Sequence, residues 1–384
     1  MSANRNTRWN IIFHKYKHLQ GDAVTIQTQF NTFHKRIKLG RKDPDYKKAR
    51  ERDDSITAKV KTEYKNKGYA VIDDFLVGSH GTNTAIRPLS GDMDIDRALV
   101  IDDDKAPENP IEPKNTTLSV LEDRGFKNAL IKKPCVTADY ASDNVHIDYP
   151  TYKKSGKDYY LAVGKKNSDE NNREWGIADP IGLRDWINNR SSYGDNDKEK
   201  QNQYRRLVRY LKRWRDNKFS EPTRSKVYSI GLTVMAKECL SNEIDADGEP
   251  NDLKALRMTV DKMLNRNYFC LVDSKEGRYK VRVDLPVKPG RDIFENSGTE
   301  TGTQFRNKLN KMSEKLKQAE ALENVREQCK ILERLFGSDF PVPDKDNEKK
   351  AGLLKSATAA SSISASKVAF SDQQRVPKKP GYFA

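Results

Sequence analysis

One stretch of the chain, Gly78 to Ile101, constrains the fold more than any other; it reads GSHGTNTAIRPLSGDMDIDRALVI. Its first half is a turn of glycines and small hydroxyl residues, where backbone N–H groups and the Ser79 hydroxyl can cradle a phosphate. Its second half alternates acidic and apolar residues, namely Asp92, Met93, Asp94, Ile95 and Asp96. This period of two predicts a strand that is buried by one face and carries carboxylates on the other.

The row of carboxylates indicates a metal site. Adjacent like charges on one strand face repel each other, so a cation is expected among them. All-oxygen ligands suit Mg²⁺ or Mn²⁺. A phosphate-binding turn beside such a strand provides the groups that displacement at a nucleotide α-phosphate requires. The competing interpretation is an acidic strand that binds calcium or is simply solvated, and the preceding Gly78-Ser79 pair argues against it.

The same stretch resembles the active-site signature of the DNA polymerase β-type nucleotidyltransferases. More narrowly, it is similar to the bacterial cGAS/DncV-like nucleotidyltransferases (CD-NTases), which synthesise cyclic oligonucleotide signals. The family pattern of an apolar residue before the catalytic acids maps onto Asp94 and Asp96, with Asp92 as an extra acidic neighbour. A register that uses Asp92 and Asp94 instead fits the spacing as well.

A second informative stretch is Val145 to Pro150, where His146 and Asp148 share one face of a predicted strand. By itself, an aspartate in a strand is more often structural or solvated than catalytic. The segment resembles the one that supplies the third acid in the CD-NTases. The resemblance therefore implies that Asp94, Asp96 and Asp148 hold two Mg²⁺ ions, with Mn²⁺ as a substitute. His146 is expected to orient its neighbours.

The best-defined predicted helix covers residues 197–218, with an apolar stripe formed by Tyr204, Leu207, Val208, Leu211 and Trp214. Most of the arginines around this stripe are interpreted as a solvated basic face. The pattern Tyr-Leu-Lys-x-Trp-Arg-Asp resembles the CD-NTase helix whose lysine contacts the triphosphate, which implies this role for Lys212. The resemblance also implies nucleotide-binding roles for Gly78, Ser79 and Ser229.

Composition restricts the class of protein. The 384 residues suffice for two packed lobes, and the formal net charge of +15 attracts polyanions such as nucleotides or nucleic acids. The mean hydropathy of −0.90 predicts no membrane span and no membrane partner. The four cysteines are scattered and suggest reduced thiols, which favours a cytoplasmic location. Neither they nor the five histidines show the spacing of a zinc site.

We therefore expect an α/β (α+β) fold in three parts. Residues 1–174 form a polymerase β-like nucleotidyltransferase lobe with a mixed sheet and N-terminal helices, residues 175–343 form a helical second lobe, and the active site lies in the cleft between them. Residues 344–384 have the composition of a flexible tail. The resemblance implies that a ubiquitin-like conjugating enzyme acts on the terminal Ala384.

The expected function is a Mg²⁺-dependent synthase that makes a cyclic di- or trinucleotide from ATP, GTP or both. The resemblance places it in bacterial antiphage (CBASS-type) signalling, where a downstream effector binds the product and not the protein. Two alternatives stay open. One is a template-free transferase that makes linear oligonucleotides or tails RNA, and the other is a catalytically silent nucleotide or nucleic-acid sensor.

Overall fold

The computed structural model describes residues 24–89, 93–140, 145–195 and 197–344. Asp92, the alternative metal ligand, and Ala384, the predicted conjugation terminus, lie outside the described residues. The helices are α1 (Ile26–Ile37), α2 (Pro44–Asn66), α3 (Gly78–Gly81), α4 (Ile111–Asp123), α5 (Pro180–Asn188), α6 (Asp197–Lys218), α7 (Glu221–Arg224), α8 (Ser229–Glu238), α9 (Asp252–Asn265), α10 (Thr299–Glu320) and α11 (Val325–Phe336).

The strands belong to one large sheet and one hairpin. They are β1 (Val71–Leu76), β2 (Met93–Asp102), β3 (Leu130–Ile131), β4 (Val136–Tyr140), β5 (Val145–Tyr149), β6 (Thr151–Ser155), β7 (Asp158–Val163), β8 (Glu174–Ala178), β9 (Phe269–Asp273) and β10 (Arg278–Val281). The large sheet has the order β3-β4-β5-β2-β6-β7-β8, and β1 pairs with the other edge of β2. The pair β9–β10 is the hairpin.

Strand β2 is the centre of the large sheet. Its first half runs parallel to β5 and its second half parallel to β6, and these two strands follow each other through Pro150. Its other neighbour, β1, is antiparallel. The sheet is therefore mixed, and together with the helical second lobe it confirms the predicted α+β class.

Helices α2 and α4 cover one face of this sheet, which we call the back face. Helix α2 begins with Pro44 at its first turn, where a missing N–H costs nothing, and its buried residues recur at helical spacing. Ile56, Val60 and Tyr64 pack against Ile95 and Tyr149 in one apolar core. The face opposite to these helices, the front face, opens towards the second lobe.

The second lobe is built around α6, whose predicted apolar stripe is buried in a separate core. Helix α1 packs in this core, where the rings of Phe33 and Tyr210 stack 5.1 Å apart. We assigned the N-terminal helices to the catalytic lobe, but the apolar face of α1 is buried against α6. Likewise β8 extends the sheet to Ala178, past the predicted boundary, because it pairs with β7. Among the helices of the described segments, none has the length and apolar content that a bilayer span requires.

Candidate active site

The pairing of β2 with β5 brings the predicted acids together. In this parallel register Asp94 lies opposite His146, and Asp96 lies opposite Asp148. Met93 and Ile95 are buried in the core behind the sheet, so Asp94 and Asp96 project from the front face. Two segments about fifty residues apart thus place their carboxylates on one surface.

The predicted phosphate turn lies directly against these acids. The strand β1 ends one residue before Val77, whose N–H donates to the carbonyl of Asp96 at 3.0 Å. Gly78 then adopts a φ of 56°, in the left-handed region that favours glycine. A Cβ atom at this position would lie 2.1 Å from Oδ2 of Asp96. Only glycine lets the turn approach the acids this closely.

The electrostatics of the acids reflect their burial and their mutual repulsion. Burial, followed by the charges of Asp148 and Asp94, raises the pKa of Asp96 to about 7. Burial also raises the pKa of Asp94, an effect that His146 opposes and Asp148 reinforces. Neither carboxylate accepts a side-chain hydrogen bond from the residues that the structure describes. Both are therefore costly to ionise without a cation nearby.

The third acid has a partner of its own. His146 Nε2 lies 3.2 Å from Asp148 Oδ1 and 2.8 Å from the Thr137 hydroxyl, while its Nδ1 contacts Asp139. The contact with Asp148 raises the pKa of His146 to about 9, so the imidazole is protonated at neutral pH. Burial raises the pKa of Asp148, but His146 outweighs it and the net pKa lies below the ordinary value. His146 thus contacts Asp148, one of the neighbours that it was expected to orient.

The three acids fit Mg²⁺ or Mn²⁺ by chemistry. They offer only oxygen donors, and Asp148 Oδ1 has an ion-pair contact with His146 but no well-aligned hydrogen bond from any described residue. In the described segments, however, no three acidic, histidine or cysteine side chains are already gathered at metal-ligand spacing. The predicted ligand set thus remains a prediction that its chemistry favours.

A cleft of about 710 Å³ joins these acids to the second lobe. Its walls include the predicted site residues that the structure describes: Gly78, Ser79, Asp94, Asp96, Asp148, Lys212 and Ser229. Ser229 is the first residue of α8, and its hydroxyl accepts a hydrogen bond from Arg215. The structure thus brings together residues from β2, β5, α3, α6 and α8, although their individual roles stay predictions.

Lys212 is buried more deeply than its sequence suggests. Only 4% of the residue is exposed, and its ammonium donates to the carbonyl and the hydroxyl of Thr84, each at 3.1 Å. Burial, then the charges of Arg215 and Arg209, lowers the pKa of Lys212 to about 7. The amine of Lys212 thus lies at the wall of the cleft and already holds the loop after α3.

The basic face of α6 is not solvated, and our interpretation of these arginines was wrong. Arg209 and Arg213 are almost fully buried. Arg209 Nε donates to the carbonyl of Ala85 at 3.1 Å, and Arg213 Nη2 donates to that of Arg87 at 2.7 Å. The loop after α3 makes only an isolated antiparallel bridge at Ile86, and α6 supplies side-chain donors to its carbonyls. The helix thereby fastens the second lobe to the phosphate turn.

Sequence reasoning also missed basic residues at the rim of the cleft. They are Arg184, Arg215, Arg224 and Arg291. Arg215 lies one helical turn after Lys212, within the same sequence pattern, so this spacing could have identified it. The others come from loops or short helices whose approach to the cleft depends on tertiary packing.

Comparisons with known proteins agree with this geometry. Residues 24–191 match the family model of the Second Messenger Oligonucleotide or Dinucleotide Synthetase domain. The chain carries this domain. The predicted resemblance to the CD-NTases is confirmed.

The synthetase domain has curated and structural relatives. A cyclic GMP-AMP synthase from Escherichia albertii is 26% identical over 182 residues, which span 45% of this chain and 38% of that protein. The Bradyrhizobium diazoefficiens CD-NTase CdnG, solved with GTP, has a TM-score of 0.60 and 14% identity over 82% of this chain and 96% of its own. Vibrio cholerae DncV, a cyclic AMP-GMP synthase solved with a linear intermediate, has a TM-score of 0.54 and 18% identity, covering 85% and 84%. These structures show that the fold is shared.

Proposed function

We propose that this chain is a metal-dependent nucleotidyltransferase that makes a cyclic di- or trinucleotide from ATP, GTP or both. The observation that carries the proposal is the register of β2 and β5, which sets Asp96 beside Asp148 on the wall of a cleft. The synthetase domain found at residues 24–191 supports the same activity. So do the relatives, one solved with GTP and another with a linear intermediate.

The predicted site residues fall into two groups, of which the first is the three acids. Asp94, Asp96 and Asp148 would hold two Mg²⁺ ions, whose charge lowers the pKa of a nucleotide 3′-hydroxyl and stabilises the leaving pyrophosphate. Asp148 would assist deprotonation of that hydroxyl, and its contact with His146 would hold its carboxylate in place. Burial in the cleft strengthens these interactions, because the local dielectric constant is low.

Phosphate binding falls to the turn and to the second lobe. The backbone at Gly78 and the Ser79 hydroxyl lie beside the acids and suit the phosphates of the nucleotide. Lys212 and Ser229 approach from the opposite wall, and Arg215 adds a guanidinium that already bonds Ser229. A triphosphate between the two walls would therefore be gripped from both lobes.

The family resemblance supports two further parts of the proposal. We place the activity in CBASS-type antiphage signalling, in which the product and not the protein binds the effector. We also keep the hypothesis that a ubiquitin-like conjugating enzyme acts on Ala384, which lies outside the described residues. Mass spectrometry of Ala384→Glu in cells with the native partners tests it: isopeptide-linked species that persist unchanged would refute the hypothesis.

A turnover assay tests the proposed function. The purified protein is incubated with ATP, GTP, CTP and UTP and with Mg²⁺ or Mn²⁺, and released pyrophosphate and product mass are measured. We expect a phosphatase-resistant cyclic product that Asp148→Asn abolishes. A linear product would replace this proposal with a template-free transferase. The absence of pyrophosphate release under all conditions would indicate a catalytically silent nucleotide sensor.

A further inference from the structure

A buried carboxylate lies behind the two acid-bearing strands. Asp53, on helix α2, is completely buried. Its Oδ2 accepts hydrogen bonds from Arg97 Nε at 3.0 Å and from Arg97 Nη2 at 2.7 Å. Its Oδ1 accepts one from the Tyr149 hydroxyl at 3.0 Å. One side chain thus bonds to residues of both β2 and β5.

The positions of these two partners are what make the contact informative. Arg97 directly follows Asp96, and Tyr149 directly follows Asp148. Because side chains alternate across a sheet, Arg97 and Tyr149 point to the back face while the acids point to the front. Asp96 and Asp148 are themselves paired in register. Asp53 therefore links the residues immediately behind the two facing acids.

The front face needs such a link. Asp96 and Asp148 carry like charges at opposed positions on neighbouring strands, which destabilises their pairing. The pairing of β2 with β5 extends only over Met93 to Asp96, so few backbone hydrogen bonds resist this repulsion. Arg97 also donates to Asp54 and Asp74, which ties the same point to α2 and β1. These hydrogen bonds therefore hold β2 at Arg97, the residue next to the repelling Asp96.

We propose that Asp53 is a positioning residue that fixes the spacing of Asp96 and Asp148 through Arg97 and Tyr149, and thereby sets the affinity of the site for divalent cations. This inference rests on the proposed function. It differs from a merely structural role in one respect: loosening the linkage changes metal binding and turnover in molecules that are still folded. Residues that orient metal ligands influence affinity in this way without touching the metal.

Tyr149→Phe is the informative variant, because it removes one hydroxyl and leaves the ring that fills the core. Tyr64→Phe is its matched control. The Tyr64 hydroxyl is equally buried in the same core and bonds the carbonyl of Pro113 and the hydroxyls of Thr117 and Thr151. It contacts neither Asp53 nor Arg97 in the described residues. Both variants lose a buried phenol hydroxyl, but only one lies behind the acids.

Binding of Mn²⁺ to the nucleotide-free protein is measured by electron paramagnetic resonance, with kcat and KM for ATP and GTP measured beside it. For Tyr149→Phe we expect Mn²⁺ affinity and kcat to fall by about tenfold, as when groups that orient metal ligands are lost. KM for the nucleotide should change little, since Ser79 and Lys212 are untouched. Tyr64→Phe should lower the Tm and leave Mn²⁺ affinity unchanged.

Other outcomes would contradict either the inference about Asp53 or the proposed function. If Tyr149→Phe binds Mn²⁺ like the wild type, or if both variants lose only thermal stability, Asp53 is structural and the inference is wrong. Asp53→Asn, where it folds, should weaken Mn²⁺ binding at least as much as Tyr149→Phe; unchanged binding would also overturn the inference. A wild-type protein that neither binds Mn²⁺ nor releases pyrophosphate would overturn the proposed function and the inference together.

Discussion

Strand β2 carries ionisable side chains on both faces, and the two sets have different partners: Arg97 on the back face is buried, whereas on the front face Asp96 is half-buried and Asp94 is exposed at the cleft. On the front face, Asp94 and Asp96 have no side-chain donors among the described residues, and burial raises the pKa of both. On the back face, Arg97 is enclosed by three aspartates. Burial lowers the pKa of Arg97, but its bonds to Asp53 and the charges of the other aspartates outweigh this, and the net pKa is raised.

This difference separates a structural charge from a functional one. A buried charge that is paired within the fold has its desolvation repaid by its own partners. A charge that is shielded from water and lacks such a partner destabilises the fold until a ligand of opposite charge binds to it. The front face therefore should matter for activity and little for stability, and the back face should show the opposite balance.

The largest expected effect is at the front face. Asp96→Asn keeps the size of the side chain but removes a metal-ligand charge, so pyrophosphate release should fall by roughly three orders of magnitude or more. The melting temperature should hold or rise, because one of three repelling charges is gone. Turnover and Tm are measured on the same preparation. Near-normal turnover of Asp96→Asn would remove this residue from the site.

Asp92→Asn is the control for the register of the acids. If Asp94 and Asp96 are the catalytic pair, the loss of activity in Asp92→Asn should be much milder than in Asp96→Asn. If Asp92 is indispensable and Asp96 is not, the pair is displaced by two residues along the strand. Asp94→Asn should be inactive in either case.

The next effect is at the back face. Arg97→Met leaves the buried Asp53 with Arg50 as its remaining counter-charge, so the loss should approach the roughly 3–5 kcal/mol of unfolding free energy that breaking a buried pair costs. Urea denaturation measures the loss. The exposed pair Arg282–Asp284 provides the matched control, and Arg282→Met should cost at most about 1 kcal/mol. If Arg97→Met costs no more unfolding free energy than Arg282→Met, the two faces of β2 do not differ as we propose.

A third prediction concerns Lys212, a cation that is buried yet faces the cleft. Lys212→Met should raise KM for the nucleotide by about tenfold or more, since a hydrogen bond to a charged group contributes about 1.5–3 kcal/mol. Loss of its bonds to Thr84 should also lower stability, by about 1 kcal/mol.

Leu211→Ala is the control for packing on the same helix. Leu211 is fully buried, so its truncation should cost about 2–5 kcal/mol and leave KM nearly unchanged. If the Lys212→Met protein binds nucleotide as tightly as the wild type, Lys212 holds only the loop at Thr84. In that case the triphosphate is gripped by Arg215 and the turn at Ser79.

The front face could be predicted from the sequence, because its signals are local. Acids alternate with apolar residues along β2 with a period of two. Gly78 is required because its turn passes so close to Asp96 that a Cβ atom would not fit. The back face could not be predicted in this way. The helical spacing of α2 places Asp53 on the buried face with Ala49 and Ile56, but its partner Arg97 lies 44 residues away and no local pattern pairs the two.

The basic face of α6 was mispredicted for a related reason. Arginines on the polar side of an amphipathic helix are usually solvated, and the periodicity alone favours that interpretation. Here the loop from Asn83 to Arg87 runs along the helix, and its carbonyls accept hydrogen bonds from the basic side chains. A loop of irregular backbone has no sequence signature that assigns it to a particular helix. Only the tertiary structure shows which of the basic side chains donate hydrogen bonds to the protein's own backbone.

The smallest expected effect tests whether a cation resolves the repulsion at the front face. A ligand that binds only the folded protein stabilises it by RT ln(1 + [L]/Kd), or about 1.4 kcal/mol at a tenfold excess over Kd. Mg²⁺ or Mn²⁺ should therefore raise the Tm of the wild type without nucleotide, and EDTA should reverse the shift. Asp96→Asn should show a much smaller shift, because it lacks a ligand. Arg282→Met, whose pair is remote from β2 in sequence and exposed, should keep the full shift. A shift of equal size in Asp96→Asn and the wild type would mean that the metal binds elsewhere, and the unpaired acids of β2 would then need another explanation.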